Sequence, residues 1–212
     1  MTAPTTFSTI TSPEQLRAVI NAPAPDSGVM RKELAFIDPH ARNFIEKSPF
    51  ALLSTASAGG RCDVSPRGDG PGFVKVLDDR TIVVPDRPGN RRLDSMENIL
   101  ENPHAGLLFL IPNVEETLRL NGRATIIQDD ELLATMAMKD KIPTLGILIE
   151  VEELFFHCAR AFRRAELWQP ETWIERSELP TLGRIMADQL KLGDAVVDEI
   201  DEGLDKANKN LY

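Results

Sequence analysis

The middle of the chain consists of short apolar runs separated by turn-forming residues, and this pattern constrains the fold more than any other feature. Phe50-Ala51-Leu52-Leu53-Ser54-Thr55 is one such run and ends near Gly59-Gly60. The longest predicted strand extends from Thr117 to Gln128, where Gly122 marks a bulge or bend. Strands of this length with turns at this spacing are what an antiparallel meander or small barrel requires. We therefore predict a barrel of six or seven antiparallel strands over roughly residues 50–157.

Helical patterns flank the predicted barrel. Apolar residues recur at helical spacing in Pro39–Lys47 before the first strand and in Arg92–Glu101 between strands. The fold class is therefore mainly β with flanking helices. One structural domain is expected, with an N-terminal helical segment packed on the barrel, the barrel itself and C-terminal helices over residues 1–48, 49–168 and 169–212.

The charge balance limits the classes of partner. Lys and Arg sum to 24 and Asp and Glu to 33, which gives a net charge of −9. Nucleic acids and anionic membranes require a broad positive field, so neither is an expected partner. The charge balance does not exclude a small anionic ligand, which needs only a local cluster of arginines and backbone N–H groups.

The remaining composition favours a cytoplasmic protein without a metal. Cys62 and Cys158 lie far apart and without metal-binding spacing, so we expect reduced thiols and no metal site. The first residues lack the pattern of a signal peptide, and no apolar stretch reaches membrane-spanning length.

The segment from Val84 to Leu93 combines a strand end, a Pro/Gly turn and a helix start. A helix N-terminus presents unpaired N–H groups, Gly89 permits close approach of the backbone, and Arg91 and Arg92 supply bidentate donors. These features suit a phosphate monoester. The alternative is a surface loop whose arginines pair with nearby acids, namely Asp86, Asp94 or Glu97.

A second segment strengthens the case for an anion site. Ser65-Pro66-Arg67 ends a strand and runs into a glycine-rich stretch, Gly68–Gly72, that is too small to pack a core. Alone, this segment is equally consistent with an exposed hairpin loop. Two arginine-bearing loops that flank strands of one small barrel are expected to converge on one rim.

Together these motifs resemble the FMN-binding split-barrel proteins related to pyridoxamine 5′-phosphate oxidase. The similarity covers roughly residues 50–168 and is carried by Asp63-Val64-Ser65-Pro66-Arg67-Gly68, by Pro85-Asp86-Arg87-Pro88-Gly89-Asn90-Arg91-Arg92 and by Asn98-Ile99-Leu100-Glu101-Asn102-Pro103. The chain looks most similar to a bacterial branch with this Ser-Pro-Arg-Gly-Asp and Pro-Asp-Arg-Pro-Gly-Asn signature. The resemblance implies an antiparallel split barrel, FMN as cofactor, and a homodimer with FMN at the subunit interface.

The resemblance also implies which residues bind FMN. Arg67 and Arg92 would bind the phosphate, and the segments beside them would follow the ribityl chain and flavin ring. The residues placed against FMN within one subunit are Ser65, Pro66, Arg67, Val84, Pro85, Asp86, Asn90, Arg91 and Arg92. The residues alone do not decide which of Arg87, Arg91 and Arg92 contacts phosphate and which pairs with an acid.

A third segment, His157 to Trp168, holds several basic side chains. By itself it is typical of a solvated basic turn. The resemblance places Trp168 near the flavin bound by the other subunit, with Arg160 or Arg164 reaching the flavin or substrate. Cys158 is expected to be a buried small residue, because no base is positioned to activate it.

Two functions are compatible with these features. The first is an FMN-dependent oxidoreductase acting on an unidentified small substrate or a nicotinamide, with no catalytic residue identified. The alternative is a non-catalytic module that binds, stores or senses a flavin, a deazaflavin or haem. Oxidation of vitamin B6 itself is not expected, because Lys75 lies out of the register of the family's substrate lysine and the C-terminal signature is missing.

Overall fold

A computed structural model describes residues 7–212 and contains one sheet of seven strands. Every pairing in it is antiparallel. The strands are β1 (Phe50–Ala56), β2 (Cys62–Gly68), β3 (Lys75–Val76), β4 (Thr81–Pro85), β5 (His104–Leu110), β6 (Thr117–Ile127) and β7 (Gly146–His157). Their order is β2-β1-β5-β6-β7-β4-β3, so β2 and β3 form the two edges and the barrel is split. The predicted fold class is confirmed.

Eight α-helices flank the sheet in the described part of the chain. They are α1 (Pro13–Val19), α2 (Gly28–Arg31), α3 (Pro39–Lys47), α4 (Asp94–Glu101), α5 (Asp130–Ala134), α6 (Arg160–Ala165), α7 (Leu182–Leu190) and α8 (Val197–Lys209). Asp38 caps α3 by accepting a hydrogen bond from the N–H of Ala41, and Pro39 occupies the first turn, where its missing N–H costs nothing. Within residues 7–212 no helix is both long and apolar enough to cross a bilayer.

The core lies on the inner face of the curved sheet. Strand residues that alternate along the chain point inward, as the two-residue period of a strand requires. Leu53, Leu107, Phe109, Leu120 and Ile149 are among the fully buried side chains. Helices α3 and α4 contribute Ile45 and Ile99 to the same core, and α4 packs against β1, β2 and β6.

Helix α4 begins two residues later than the sequence pattern predicts, at Asp94 instead of Arg92. Arg91 and Leu93 both adopt left-handed backbone conformations, with φ of 56° and 64°. A helix cannot include such residues, so the turn between β4 and α4 extends to Leu93. This delay leaves a loop of irregular backbone beside the end of β4.

The predicted bulge at Gly122 is present and explains why glycine is needed there. The pairing of β6 with β7 changes register between Asn121 and Gly122. A Cβ atom on Gly122 would lie 2.0 Å from the carbonyl oxygen of Glu150 on β7. The bulge therefore interrupts the longest ladder of the sheet at a point where the two backbones leave no room for a side chain.

We predict that Gly122→Ala destabilises the protein by about 3 kcal/mol, because the added methyl group must push the β7 backbone away. The free energy of unfolding in urea measures this change. Gly203→Ala is the matched control, since nothing lies within 4 Å of the Cβ position in α8. The control should be neutral or slightly stabilising. Equal stability of both variants would show that the bulge tolerates a side chain.

Candidate functional site

A cleft of about 460 Å³ lies at the split of the barrel. Its walls come from β2, from the turn between β4 and α4, from the first turn of α4 and from two distant segments. The lining residues are Asp63–Arg67, Asp86–Met96, Lys141–Thr144 and Tyr212. The volume falls in the range of small-molecule sites. The two arginine-bearing loops therefore converge on one rim, as the sequence predicts.

Strand β2 supplies the polar floor of the cleft. Asp63, Ser65 and Arg67 alternate along the strand and so face the same side, towards α4. Ser95 in the first turn of α4 is buried and joins all three. Its hydroxyl donates to Asp63 Oδ2 (2.6 Å), lies 3.0 Å from Ser65 Oγ and accepts from Arg67 Nη2 (3.2 Å).

Arg67 is the central cation of this floor. Its side chain is 20% exposed, and Nη1 lies 3.3 Å from Asp86 Oδ1 just beyond the end of β4. Its Nε is buried and has no hydrogen-bond partner within residues 7–212. Burial raises the pKa of Asp86, and the neighbouring Arg67 guanidinium opposes this shift. A buried donor without a partner is costly, so the site is suited to an added acceptor.

The turn that follows Asp86 carries the other arginines. Arg92 is 66% exposed and donates through Nε to Asp94 Oδ2 at 2.7 Å, which lowers the pKa of Asp94. Its backbone N–H donates to Asn90 Oδ1 (3.1 Å). Arg91 forms no side-chain hydrogen bond or ion pair within the described chain. Of the arginines left open by the sequence, Arg92 is thus held by an acid and Arg91 is free.

The cleft is locally cationic although the chain is anionic. Five basic side chains line it, against three carboxylates: Arg67, Arg87, Arg91, Arg92 and Lys141 against Asp63, Asp86 and Asp94. The chain as a whole carries a net charge of −9. Within a Debye length, a bound anion interacts mainly with this local cluster and not with the whole protein. The cleft can therefore bind a small anion.

The structure gathers most of the predicted cofactor residues. Those lining the cleft are Ser65, Pro66, Arg67, Asp86, Asn90, Arg91 and Arg92. Val84 and Pro85 are buried in β4, directly before the cleft-lining segment, and do not line the cleft themselves. Whether any of these residues binds FMN stays a prediction.

The third predicted segment lies outside this cleft. Arg160 and Arg164 belong to α6, and Trp168 follows it, with Nε1 donating to the carbonyl oxygen of Val114 (2.9 Å). Their predicted role concerns the flavin of another subunit and stays a prediction. The expectation that Cys158 is buried is wrong: it is exposed, and its pKa is lowered chiefly by a hydrogen bond with the Arg160 backbone.

Several cleft residues were missed by sequence reasoning. Asp63 could have been found, because it has the same strand parity as Ser65 and Arg67. Ser95 could also have been suspected as a hydroxyl in the first turn of a helix. Nothing in the local pattern marks Lys141–Thr144 or Tyr212, since only the tertiary fold brings them to the cleft.

The sequence model of the pyridoxamine 5′-phosphate oxidase family matches residues 37–158 of this chain. This region contains the whole sheet and most of the cleft. The chain belongs to this family. No curated protein sequence gave a match.

Solved structures with a similar fold have low sequence identity. HupZ of Group A Streptococcus is 21% identical, with 57% of this chain and 93% of that chain covered and a TM-score of 0.45. A pyridoxamine 5′-phosphate oxidase-like protein of Lactobacillus delbrueckii is 21% identical (58% and 98% covered, TM-score 0.46). An FMN-binding protein of Syntrophomonas wolfei is 12% identical (55% and 88% covered, TM-score 0.42).

We predict that Asp94→Asn strengthens phosphate binding by about threefold, because it frees Arg92 from a competing carboxylate at an exposed position. Calorimetric titration with inorganic phosphate measures the affinity. Asp130→Asn is the matched control, since Asp130 is also a first-turn acid, but of α5. Weaker binding by Asp94→Asn would mean that Asp94 orients Arg92 for the anion and does not compete with it.

Proposed function

We propose that the cleft binds FMN by its phosphate and that the protein is a cytoplasmic FMN-dependent oxidoreductase acting on a small molecule or a nicotinamide. The observation that carries this proposal is Arg67, which lies on the floor of a cationic cleft and whose buried Nε has no hydrogen-bond partner within residues 7–212. Membership of the pyridoxamine 5′-phosphate oxidase family supports the choice of FMN over other anions.

The residues present fit both ends of FMN. Arg67 and Arg91 would hold the phosphate, with Arg92 joining them once it leaves Asp94. The cleft lining also includes Val64 and Ile142, which are 62% and 57% exposed. Covering such apolar side chains with an aromatic ring is favourable, at about 25 cal/mol per Å².

FMN supplies the redox chemistry when bound, by accepting or donating a hydride. The protein's own task is then to bind and orient the cofactor and to leave room for a substrate. The buried link from Ser95 to Asp63, Ser65 and Arg67 keeps the floor rigid for this purpose. No side chain needs to act as a strong acid or base for hydride transfer itself.

We further propose that two chains pair through the outer face of the sheet. Leu52 of β1 lies opposite Leu108 of β5, and Phe50 lies opposite Leu110, all on the side away from the core. This face also has a depression of about 620 Å³. Pairing would cover an apolar patch and bring Arg160, Arg164 and Trp168 of one chain towards the cleft of the other.

Leu108→Glu is expected to convert a dimer into a monomer, because the new carboxylate would be buried without a partner at the interface. Light scattering after gel filtration measures the mass. Glu152 lines the same depression. Glu152→Gln removes a charge there instead of adding one, so this control should remain dimeric. A wild-type protein that is monomeric at all concentrations contradicts the pairing.

The test of FMN binding is a titration of the purified protein with FMN, monitored through visible absorption and flavin fluorescence. We expect Arg67→Ala to weaken binding about ten- to a hundredfold, because one residue supplies several charge-assisted hydrogen bonds. Arg80→Ala is the control, since Arg80 is an exposed arginine in the turn before β4. Equal affinities of the two variants would overturn the proposed site.

A second step separates an oxidoreductase from a storage or sensing module. FMN-loaded protein is mixed anaerobically with NADH or NADPH, and the yellow flavin absorption is followed. If the bound flavin loses its absorption faster than free FMN does with the same nicotinamide, the result supports an oxidoreductase. Absorption that persists with both nicotinamides and with a set of small amines favours the non-catalytic alternative.

A further inference from the structure

Asp69, directly after β2, is a buried carboxylate that connects two walls of the cleft. Its side chain is only 3% exposed. Oδ1 accepts hydrogen bonds from the N–H of Gly70 (2.7 Å) and from the hydroxyl of Tyr212 (2.6 Å), and Oδ2 lies 2.6 Å from Arg87 Nε. Two hydrogen-bond donors on Oδ1 and the guanidinium charge beside Oδ2 compensate the carboxylate for its lost water, so Asp69 is a fixed anchor.

Arg87 brings this anchor into the predicted ligand site. It follows Asp86 in the cleft-lining turn and is 15% exposed. Its Nη2 also donates to the carbonyl oxygen of Met136 (2.9 Å), just beyond α5. Arg87 is therefore held on two sides and acts as a structural arginine. This answers the question that the sequence left open for Arg87: it pairs with an acid.

Tyr212 is the other cleft residue that contacts Asp69. It follows the end of α8, is half-buried, and lines the cleft. Within residues 7–212 its hydroxyl donates a hydrogen bond to Asp69, and Lys139 Nζ lies 5.1 Å from the centroid of its ring. The strand walls are fixed by backbone ladders, whereas no strand includes Tyr212. Movement of Tyr212 away from the cleft would therefore break no ladder of the sheet.

We propose that Tyr212 is a latch on the cleft: its hydrogen bond to Asp69 holds the cleft closed, and its release sets the rate at which ligand leaves. The identity of the ligand as FMN rests on the proposed function, whereas the latch contact does not. Because Arg87 shares the same carboxylate, the latch and the ligand-binding turn are coupled through one residue.

The latch contact can be tested without any ligand, because Tyr212 is the only tyrosine in the chain. The hydrogen bond to Asp69 is the main cause that raises the pKa of Tyr212; burial adds to this, and Arg87 opposes it. The contact is thus intact at neutral pH, where the phenol is protonated, and is lost as the pH rises through this raised pKa. The absorbance change of the phenolate follows the titration.

We expect the Tyr212 phenol in wild-type apoprotein to titrate above its ordinary value of 10.0 and to titrate at lower pH in Asp69→Asn. In that variant the carboxylate charge is gone while Arg87 remains nearby. Both the lost negative charge and the remaining positive charge favour the phenolate. Tyr212→Phe should abolish the signal. The same midpoint in wild type and in folded Asp69→Asn would show that the contact does not form in solution, and it would overturn the latch.

The second measurement is the rate of FMN release after dilution, which is monitored through the recovery of flavin fluorescence. Tyr212→Phe keeps the ring and fold but loses the hydroxyl, and we expect about tenfold faster release, the value of one hydrogen bond to a charged group. Lys209→Ala, at the end of α8, is the control and should release FMN at the wild-type rate.

The two measurements separate the latch from the proposed function. A wild-type rate in Tyr212→Phe overturns the latch even when FMN binds normally. A wild-type protein that takes up no FMN overturns the proposed function and the role of Tyr212 in releasing FMN. The titration of apoprotein still decides whether Tyr212 is held on Asp69, since it requires no ligand.

Discussion

The contact between Arg67 and Asp86 joins two ends of the sheet, and the functional site depends on it. Arg67 is on β2 at one edge, and Asp86 follows β4, which is five positions away in the strand order. In a flat sheet, five strand spacings amount to about 24 Å. The two side chains are instead 3.3 Å apart. The sheet therefore curls until its ends nearly meet, and the cleft occupies the gap that remains.

This curvature has a cause in the sequence and a consequence for the chemistry. The long β6–β7 ladder bends at Gly122, where the backbones approach too closely for any side chain. Because the barrel does not close, strand β2 keeps an unpaired edge beside α4. Side chains from Asp63, Ser65 and Ser95 occupy this region in place of a backbone ladder. The polar floor of the cleft thus results from incomplete closure of the sheet.

Sequence patterns predict the parts of this arrangement that are local. Strand and turn spacing gives the antiparallel sheet, the glycine in the longest strand gives the bulge, and two arginine-bearing loops give the rim of the cleft. The sequence pattern places the start of α4 two residues too early. The left-handed conformation of Leu93, a residue with a branched side chain, has no signal in the local sequence. Tyr212 and Lys141–Thr144 reach the cleft only through long-range packing, so their part in the site cannot be derived from neighbours in the chain.

The pairing of the cleft arginines with acids affects which anions can bind. Arg67, Arg87 and Arg92 each have a carboxylate partner, namely Asp86, Asp69 and Asp94. These partners keep the guanidinium groups in place when no ligand is bound. A ligand that binds Arg67 or Arg92 must replace such a contact with a better one, and a single carboxylate offers no more than the acid it displaces. A phosphate monoester carries a charge of about −1.5 to −2 and three acceptor oxygens, so it gains from the exchange. The same acids that weaken binding overall therefore select for phosphate over carboxylate ligands.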